Sequence, residues 1–153
     1  MQSNRPDVVA EVAEHFARYE GALTGDDPEA VVAFFAAGAV RFGVADHQVG
    51  LAEQLEWRCA HAPLPAGRRL HDTRIVTYGS DVAVVTTFFG YAGGPATGRQ
   101  SQTWVRLPDG WRIVTAHVSV PAHVSVPAPD PLVHEGCQAP SAKASSISSV
   151  NTS

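Results

Sequence analysis

The stretch GRQSQTWVRLPDGWRIVTAHVS, residues 98–119, constrains the fold more than any other part of the chain. Two runs of strand-like sequence flank LPDGW, which has the composition of a type I turn with Gly110 in the left-handed position. We predict a hairpin with a three-residue loop in which Leu107 faces Trp111. Turn geometry sets the register of a hairpin, so this loop also decides which residues share a face.

The predicted register gives the hairpin one face that becomes more polar with distance from the turn. Along this face the pairs are Val105 with Ile113, Thr103 with Thr115, Ser101 with His117, and Arg99 with Ser119. Each buried polar group without a partner costs about 1–3 kcal/mol, so this face does not suit a plain core. We expect it to line a pocket with an apolar floor and a ligand at its mouth.

The opposite face of the hairpin mixes aromatic, amide and charged groups. Its members are Gln100, Gln102, Trp104 and Arg106 on one strand and Arg112, Val114, Ala116 and Val118 on the other. Such a mixture suits a wet surface or a subunit interface. We therefore expect a homodimer that forms through the sheet face with Trp104 and Arg112.

Periodicity in the rest of the chain predicts helices before the hairpin and further strands beside it. In TGDDPEAVVAFFAAG, Asp27 is a helix N-cap, Pro28 occupies the first helical position, and Gly38 is the left-handed stop. The other predicted elements are a helix from Pro6, a strand over 39–44, a helix over 50–62, and strands over 69–79 and 81–91. This order predicts an α+β domain with helices on one face of an antiparallel sheet.

The composition changes after the predicted hairpin. We expect residues 1–120 to form one domain and residues 121–153, rich in Pro, Ala and Ser, to form a largely disordered or arm-like tail. The sequence AHVSVP occurs at 116–121 and again at 122–127. This repeat suggests a short duplication and indicates no function.

Composition and motif spacing exclude several classes of function. A formal charge of −4 argues against nucleic-acid binding. No apolar run approaches the ~20 residues of a membrane span, and the N-terminus lacks the apolar core of a signal peptide. Cys59 and Cys137 fit two reduced thiols of a cytoplasmic protein, and neither cysteine nor histidine spacing indicates a metal site. We expect no metal and no cofactor.

Two residues outside the hairpin are candidates for the same pocket. Arg41 is a cation on the otherwise apolar first strand, where it can hold a carboxylate through two parallel hydrogen bonds. It can instead form a salt bridge, for which the candidates are Asp46, Glu20 and Glu53. Tyr19 lies on the apolar side of the first helix, either as a core residue or as a proton donor. A nearby Arg41 would lower the pKa of its hydroxyl.

The polar hairpin residues supply the remaining candidates. His117 is either a general base or a structural group bonded to Ser101 or to a backbone carbonyl. Arg99, Ser101 and Thr103 are expected to contact the substrate. No third residue completes a Ser-His-Asp arrangement.

Several of these motifs are similar to those of a known family. GRQSQTWVR followed by GWRIVTAHVS resembles the signature of AtzH-like (oxalurate-catabolism HpxZ-like) members of the NTF2-like superfamily. ARYEGAL, AVRFG and the helix from Gly50 to Arg58 match in kind and order, and the DGWRI ending is shared with SnoaL-like and ketosteroid-isomerase-like proteins. The resemblance covers about residues 6–120. It implies a curved sheet wrapped by three helices into a cone, with a pocket at its wide end, usually in a homodimer.

The resemblance also implies an activity. The close family resembles 1,3-dicarboxyurea decarboxylase of cyanuric acid breakdown, whose proposed catalytic tyrosine and arginine correspond to Tyr19 and Arg41. Arg58 would then be a substrate-binding residue. In two departures from the pattern, Asp46 stands where the family implies Glu, and His61 stands where it implies a second arginine after Arg58. The second departure bears on the substrate more than on the fold.

Three functions remain open at this point. The first is a cofactor-independent lyase that decarboxylates a small urea- or amide-like carboxylate, with Arg41 as the anchor and Tyr19 as the proton donor. The second is a SnoaL-like or ketosteroid-isomerase-like isomerase, dehydratase or cyclase, which would need Asp46 or Asp72 as a base inside the pocket. The third is a non-catalytic module that binds a ligand or forms a dimer beside an amidase.

Overall fold

A computed structural model describes residues 2–121, and the predicted tail, the second AHVSVP copy and Cys137 lie outside the described residues. Three helices and six strands occur within them. The helices are α1 (Pro6–Thr24), α2 (Pro28–Val32) and α3 (Gly50–Ala60); the strands are β1 (Phe35–Phe42), β2 (His47–Val49), β3 (Arg69–Tyr78), β4 (Val82–Gly90), β5 (Gly98–Leu107) and β6 (Gly110–Ser119). Among residues 2–121, no helix has the length and apolar character needed to cross a membrane.

All six strands form one mixed sheet in the order β2-β1-β6-β5-β4-β3. Neighbouring strands are antiparallel except β1 and β6, which run parallel. The α+β prediction is confirmed, but the expectation of a wholly antiparallel sheet is wrong at this pair. A long connection that includes α3 and four strands, β2 to β5, separates β1 from β6, so no tight turn forces them to be antiparallel.

The start signals of the first two helices are confirmed. α1 begins at Pro6, and α2 begins at Pro28 with the Ala30 N–H donating to the Asp27 carboxylate at 2.9 Å. α1 buries one stripe of residues at helical spacing: Val8, Val12, Phe16 and Tyr19. This stripe places Tyr19 in the core.

The predicted second helix is too long. It ends at Val32, and Phe35 already belongs to β1, so Gly38 lies within a strand rather than at a helix stop. The backbone N–H of Ile113 donates to the carbonyl of Phe34 at 2.8 Å and thereby brings this segment to β6. Pairing with a neighbouring strand outweighs the weak helical preference of the sequence FFAA.

The hairpin register is confirmed at its open end and wrong near its turn. Arg99 pairs with Ser119, Ser101 with His117, and Thr103 with Thr115, as predicted. Leu107, however, pairs with Gly110, which leaves a loop of two residues rather than three. A β-bulge at Val114 adds one residue to β6 and restores the predicted pairing beyond it.

The predicted orientation of the hairpin is wrong, because the amide face is the one that turns inward. Gln100, Gln102 and Trp104 are buried, whereas Arg99 and Ser101 are exposed. On β6 the bulge lets Ile113 and Ala116 both point into the core, although they are three residues apart. His117 and Thr115 consequently face outward together with Thr103.

The predicted dimer interface through Trp104 and Arg112 is wrong for the same reason. Trp104 is 0% exposed within a single chain, and its ring meets that of Tyr19 edge-on at a centroid distance of 6.3 Å. Arg112 donates to the Asp109 carboxylate of the hairpin turn at 2.8 Å. Trp104 therefore has no surface to offer to a second copy.

Candidate functional site

The inner face of the sheet, α1 and α3 enclose a cavity of about 440 Å³. Its ionisable lining residues are Tyr19, Arg41, Asp46, Arg58, Arg68 and Tyr91. The structure thus brings together three predicted site residues, Tyr19, Arg41 and Arg58, and also Asp46, which the sequence offered as a partner of Arg41 or as a base. Valine, leucine and aromatic side chains form most of the remaining wall.

The predicted hairpin contacts lie elsewhere. Arg99, Ser101 and His117 line a second depression, of about 520 Å³, on the outer face of the sheet. There the His117 ring meets Phe42 edge-on at a centroid distance of 6.1 Å. The sheet separates these residues, and Thr103 beside them, from the cavity that Tyr19 lines.

Arg41 points into the cavity but is already paired. Its Nη1 donates to Asp46 Oδ1 at 2.8 Å and to Gln48 Oε1 at 2.5 Å, and Gln48 lies opposite Arg41 in the β1–β2 register. The guanidinium also lies over the Trp57 ring at 4.5 Å. A Cβ at Gly43 would collide with the Asp46 carboxylate, so glycine there lets the acid reach Arg41. The salt-bridge alternative for Arg41 is the one found.

Arg68 forms a second neutralised pair on the cavity wall. Its Nε donates to Glu20 at 2.9 Å, its Nη2 donates to the Gln100 side-chain oxygen at 2.8 Å, and the Gln100 amide donates to Glu20 at 2.7 Å. The guanidinium stacks over the Phe89 ring at 4.2 Å. That ring occupies the space a Cβ at Gly98 would need. Each polar group of this closed network limits the movement of the others.

Sequence reasoning missed the Arg68 network. Arg68 follows the aperiodic segment HAPLPAG, in which no pattern indicates where a side chain points. Gln100 could have been found, because it shares a strand face with Gln102 and Trp104. With a two-residue loop, two large apolar residues of the facing strand, Trp111 and Ile113, lie on that same face and favour it as the inner one.

Arg58 differs from the other two arginines of the cavity. Within residues 2–121, no carboxylate lies at salt-bridge distance from it, and its buried Nε has no hydrogen-bond partner. Burial lowers the pKa of its guanidinium, Tyr19 opposes this shift, and the positive charge of Arg41 adds to it. A half-buried guanidinium without an acidic partner carries a cost that a bound anion would reduce.

Tyr19 is held as a neutral phenol. Burial raises the pKa of its hydroxyl, and this effect exceeds the lowering by the charges of Arg58, Arg41 and Arg68. Glu20 adds a smaller upward shift. Arg41 does lower the pKa of Tyr19, as expected from the sequence, but the net shift is upward. The phenol therefore retains a proton that it can donate.

The cavity thus combines a proton donor with a cation that has no acidic partner in the described part of the chain. Arg58 and Tyr19 lie close enough for each to shift the pKa of the other. A small anion between them could accept hydrogen bonds from both groups. Among residues 2–121, no three His, Cys, Asp or Glu side chains are grouped so that they could hold a metal ion.

The Arg41–Asp46 ion pair should make the folding stability depend on pH through the titration of Asp46. Burial raises the pKa of this carboxyl, but hydrogen bonds from Gln48 and Arg41 and the charge of Arg41 outweigh it, so the pKa lies below its ordinary value of 3.8. A carboxyl with a depressed folded-state pKa stabilises the fold above its unfolded pKa, and this contribution disappears as pH falls through the folded value.

We expect D46N to unfold more easily than wild type at neutral pH, with a difference that shrinks once the pH falls below 3.8. Urea denaturation followed by circular dichroism at a series of pH values measures the free energy of unfolding of both proteins. A difference between them that is constant, or that grows on acidification, would contradict a stabilising Arg41–Asp46 ion pair.

Comparison with solved structures identifies close relatives of this fold. A cystatin-like fold protein from Burkholderia xenovorans LB400 is 46% identical, with a TM-score of 0.75, over 80% of this chain and 98% of that chain. A protein of unknown function of the DUF3225 family from Pectobacterium atrosepticum SCRI1043 is 43% identical, with a TM-score of 0.73, over 78% and 95%. No curated protein matches the chain.

A more distant structure agrees on the fold. An NTF2-like protein of unknown function from Pseudomonas putida KT2440 has a TM-score of 0.65 at 17% identity, over 76% of this chain and 89% of that chain. The fold is therefore NTF2-like, as the sequence resemblance implied. The AtzH-like family model matches residues 1–123. The chain belongs to the AtzH-like family.

Proposed function

We propose that this protein is a small cofactor-independent lyase that removes CO2 from the N-carboxylate of a urea- or amide-like compound. The observation that carries the proposal is the pairing of Arg58, which has no acidic partner in residues 2–121, with the neutral phenol of Tyr19 in one cavity. The AtzH-like membership and its resemblance to 1,3-dicarboxyurea decarboxylase support the same reaction class.

Arg58 replaces Arg41 as the main anchor in this proposal. Among residues 2–121 Arg58 has no acidic partner, whereas Arg41 already holds Asp46 and Gln48. Arg58 would bind the carboxylate oxygens, and Tyr19 would donate to the adjacent nitrogen. Arg41 keeps a supporting role, because it lowers the pKa of the Tyr19 hydroxyl and so stabilises the phenolate after proton transfer.

The reaction needs one proton and no electrons. Tyr19 gives its proton to the nitrogen, the N–C bond to the carboxylate breaks, and its electron pair stays on the nitrogen. The products are the amine or amide and CO2, and the phenolate then recovers a proton from water. An N-carboxylate loses CO2 readily once its nitrogen is protonated, so positioning and one general acid suffice.

The isomerase alternative requires a free carboxylate base inside the cavity. Asp46 lines the cavity, but two hydrogen bonds and the Arg41 charge hold its pKa low, which makes it a weak base. Asp72 lines the outer depression instead. Neither candidate suits the role of a base in the cavity, so we favour a lyase over an isomerase.

A non-catalytic binding module would use the same cavity without turnover. The closed Arg68–Glu20–Gln100 network is compatible with a purely structural wall. The unpartnered Nε of Arg58 favours a ligand in either case. The distinction depends on whether Tyr19 accelerates a reaction.

The decisive variant for catalysis is Tyr19→Phe. It keeps the buried ring and removes the proton, so we expect kcat to fall by about 10²–10⁴-fold, the usual contribution of a general acid. The measurement is ¹³CO2 release from carboxylate-labelled N-carboxyurea, corrected for the spontaneous rate.

Tyr78→Phe is the matched control, because Tyr78 is an exposed tyrosine of β3. It should retain the wild-type rate. Equal rates for Y19F and wild type would exclude Tyr19 as the acid, and a wild-type rate equal to the spontaneous one would favour the binding module.

We also propose that two copies pair through the outer face of the sheet. The helices cover the inner face, and the outer face presents a row of small or β-branched residues across five strands. In sheet order these are Val40, Thr115, Thr103, Val84 and Val76. A row of compact side chains lets the sheet of a second copy pack against it.

A charge at the centre of this row should separate the copies. We expect Thr103→Glu to convert a dimer into a monomer in sedimentation velocity, because it places like charges together across the interface. Ala10→Glu, on the exposed side of α1, is the control and should leave the dimer intact. Unchanged sedimentation of T103E, or a monomeric wild type, would contradict this interface.

A further inference from the structure

The charges around the cavity do not cancel. Three arginines line it, namely Arg41, Arg58 and Arg68, and two of them are matched by one carboxylate each, Asp46 and Glu20. The side chains of Arg41 and Arg68 are 12% and 4% exposed, so both arginines are largely shielded from water. With Tyr19 neutral, one positive charge remains among the described lining residues, and it belongs to Arg58.

From this imbalance we infer that the cavity selects a ligand with one carboxylate and a neutral amide- or urea-like remainder over a dicarboxylate of the same length. The inference rests on the proposed function, because it names the substrate class of the same cavity.

The first carboxylate and the second would meet different surroundings. The first would neutralise Arg58, which has a buried donor without a partner. Within residues 2–121 the second would find the two arginines that already hold Asp46 or Glu20, and those acids would repel it. Like charges brought together in a partly dry cavity weaken binding strongly.

The rest of the cavity suits a neutral group. Trp57, Phe89, Leu23, Val118 and Val120 supply apolar and aromatic surface. The amide of Gln100, which could have met a polar group, is committed to Glu20 and Arg68. A planar uncharged amide or urea can lie against such a wall, whereas a second ionised carboxylate would lose its water there.

This selection departs from the dicarboxylate implied by the sequence resemblance. The resemblance implies a second arginine after Arg58, where this chain has His61. The His61 ring is exposed and stacks on Trp57 at a centroid distance of 4.2 Å. It is outside the cavity lining and supplies no second guanidinium.

Isothermal titration calorimetry at neutral pH tests the selection with stable carbon analogues of the N-carboxylates. Malonamate and malonate form one matched pair and glutaramate and glutarate the other, each differing by one carboxylate-to-amide change. We expect the monoanion of each pair to bind wild type about tenfold tighter or more.

Two variants test the cause of the selection. D46N leaves Arg41 without its acid, so it should increase the affinity for malonate and glutarate. The ratio of monoanion to dianion affinity within each pair should therefore become smaller. D109N, which removes an acid paired with Arg112 at the hairpin turn, should leave the ratio unchanged. R58M should weaken all four probes.

The inference is overturned if wild type binds the dianions equally or more tightly, if it binds no probe, or if D46N leaves the ratio unaltered. Release of ¹³CO2 is scored separately. If the protein releases CO2 but binds the dianions more tightly, the selection is wrong and the proposed lyase activity stands. If it prefers the monoanions but releases no CO2, the lyase activity is wrong and the selection stands.

Discussion

The site depends on the half-buried guanidinium of Arg58, which lies near the phenol of Tyr19 and which no acid of residues 2–121 neutralises. Burying a charge without its counter-charge is costly, and the fold avoids this cost at Arg41 and Arg68 by placing an acid against each. At Arg58 it does not, within the described residues. That difference separates the arginines that build the wall from the one that is available to a ligand. Because Tyr19 lies near Arg58, we expect anion binding and proton donation to occur at the same place in the cavity.

The surrounding fold holds this arrangement in place by close packing. Glycine at 43 lets the Asp46 carboxylate fold back onto Arg41, and glycine at 98 makes room for the Phe89 ring that supports Arg68. Each of the two salt-bridged arginines is thereby held between a carboxylate and an aromatic ring. A rigid wall lets a single remaining charge discriminate between ligands, because the acids cannot move away from a second carboxylate.

Local sequence signals predicted most of the helices and strands but not which face of the hairpin is buried. Proline and aspartate fixed the starts of α1 and α2, and helical spacing put Tyr19 inside the same pocket as Arg41. The inner face of the hairpin was predicted wrongly, because a one-residue change in the loop reverses the faces near the turn and the bulge at Val114 is invisible in the pattern. The partners of Arg68 come from α1 and β5, so no local rule could have found them.

A crystal structure of the protein soaked with malonamate at neutral pH would locate the bound anion. We expect its carboxylate in the inner cavity, with its oxygens at hydrogen-bond distance from the Arg58 guanidinium and from the Tyr19 hydroxyl. A ligand held by Arg99 and His117 on the outer face, or an inner cavity without ligand under saturating conditions, would contradict it.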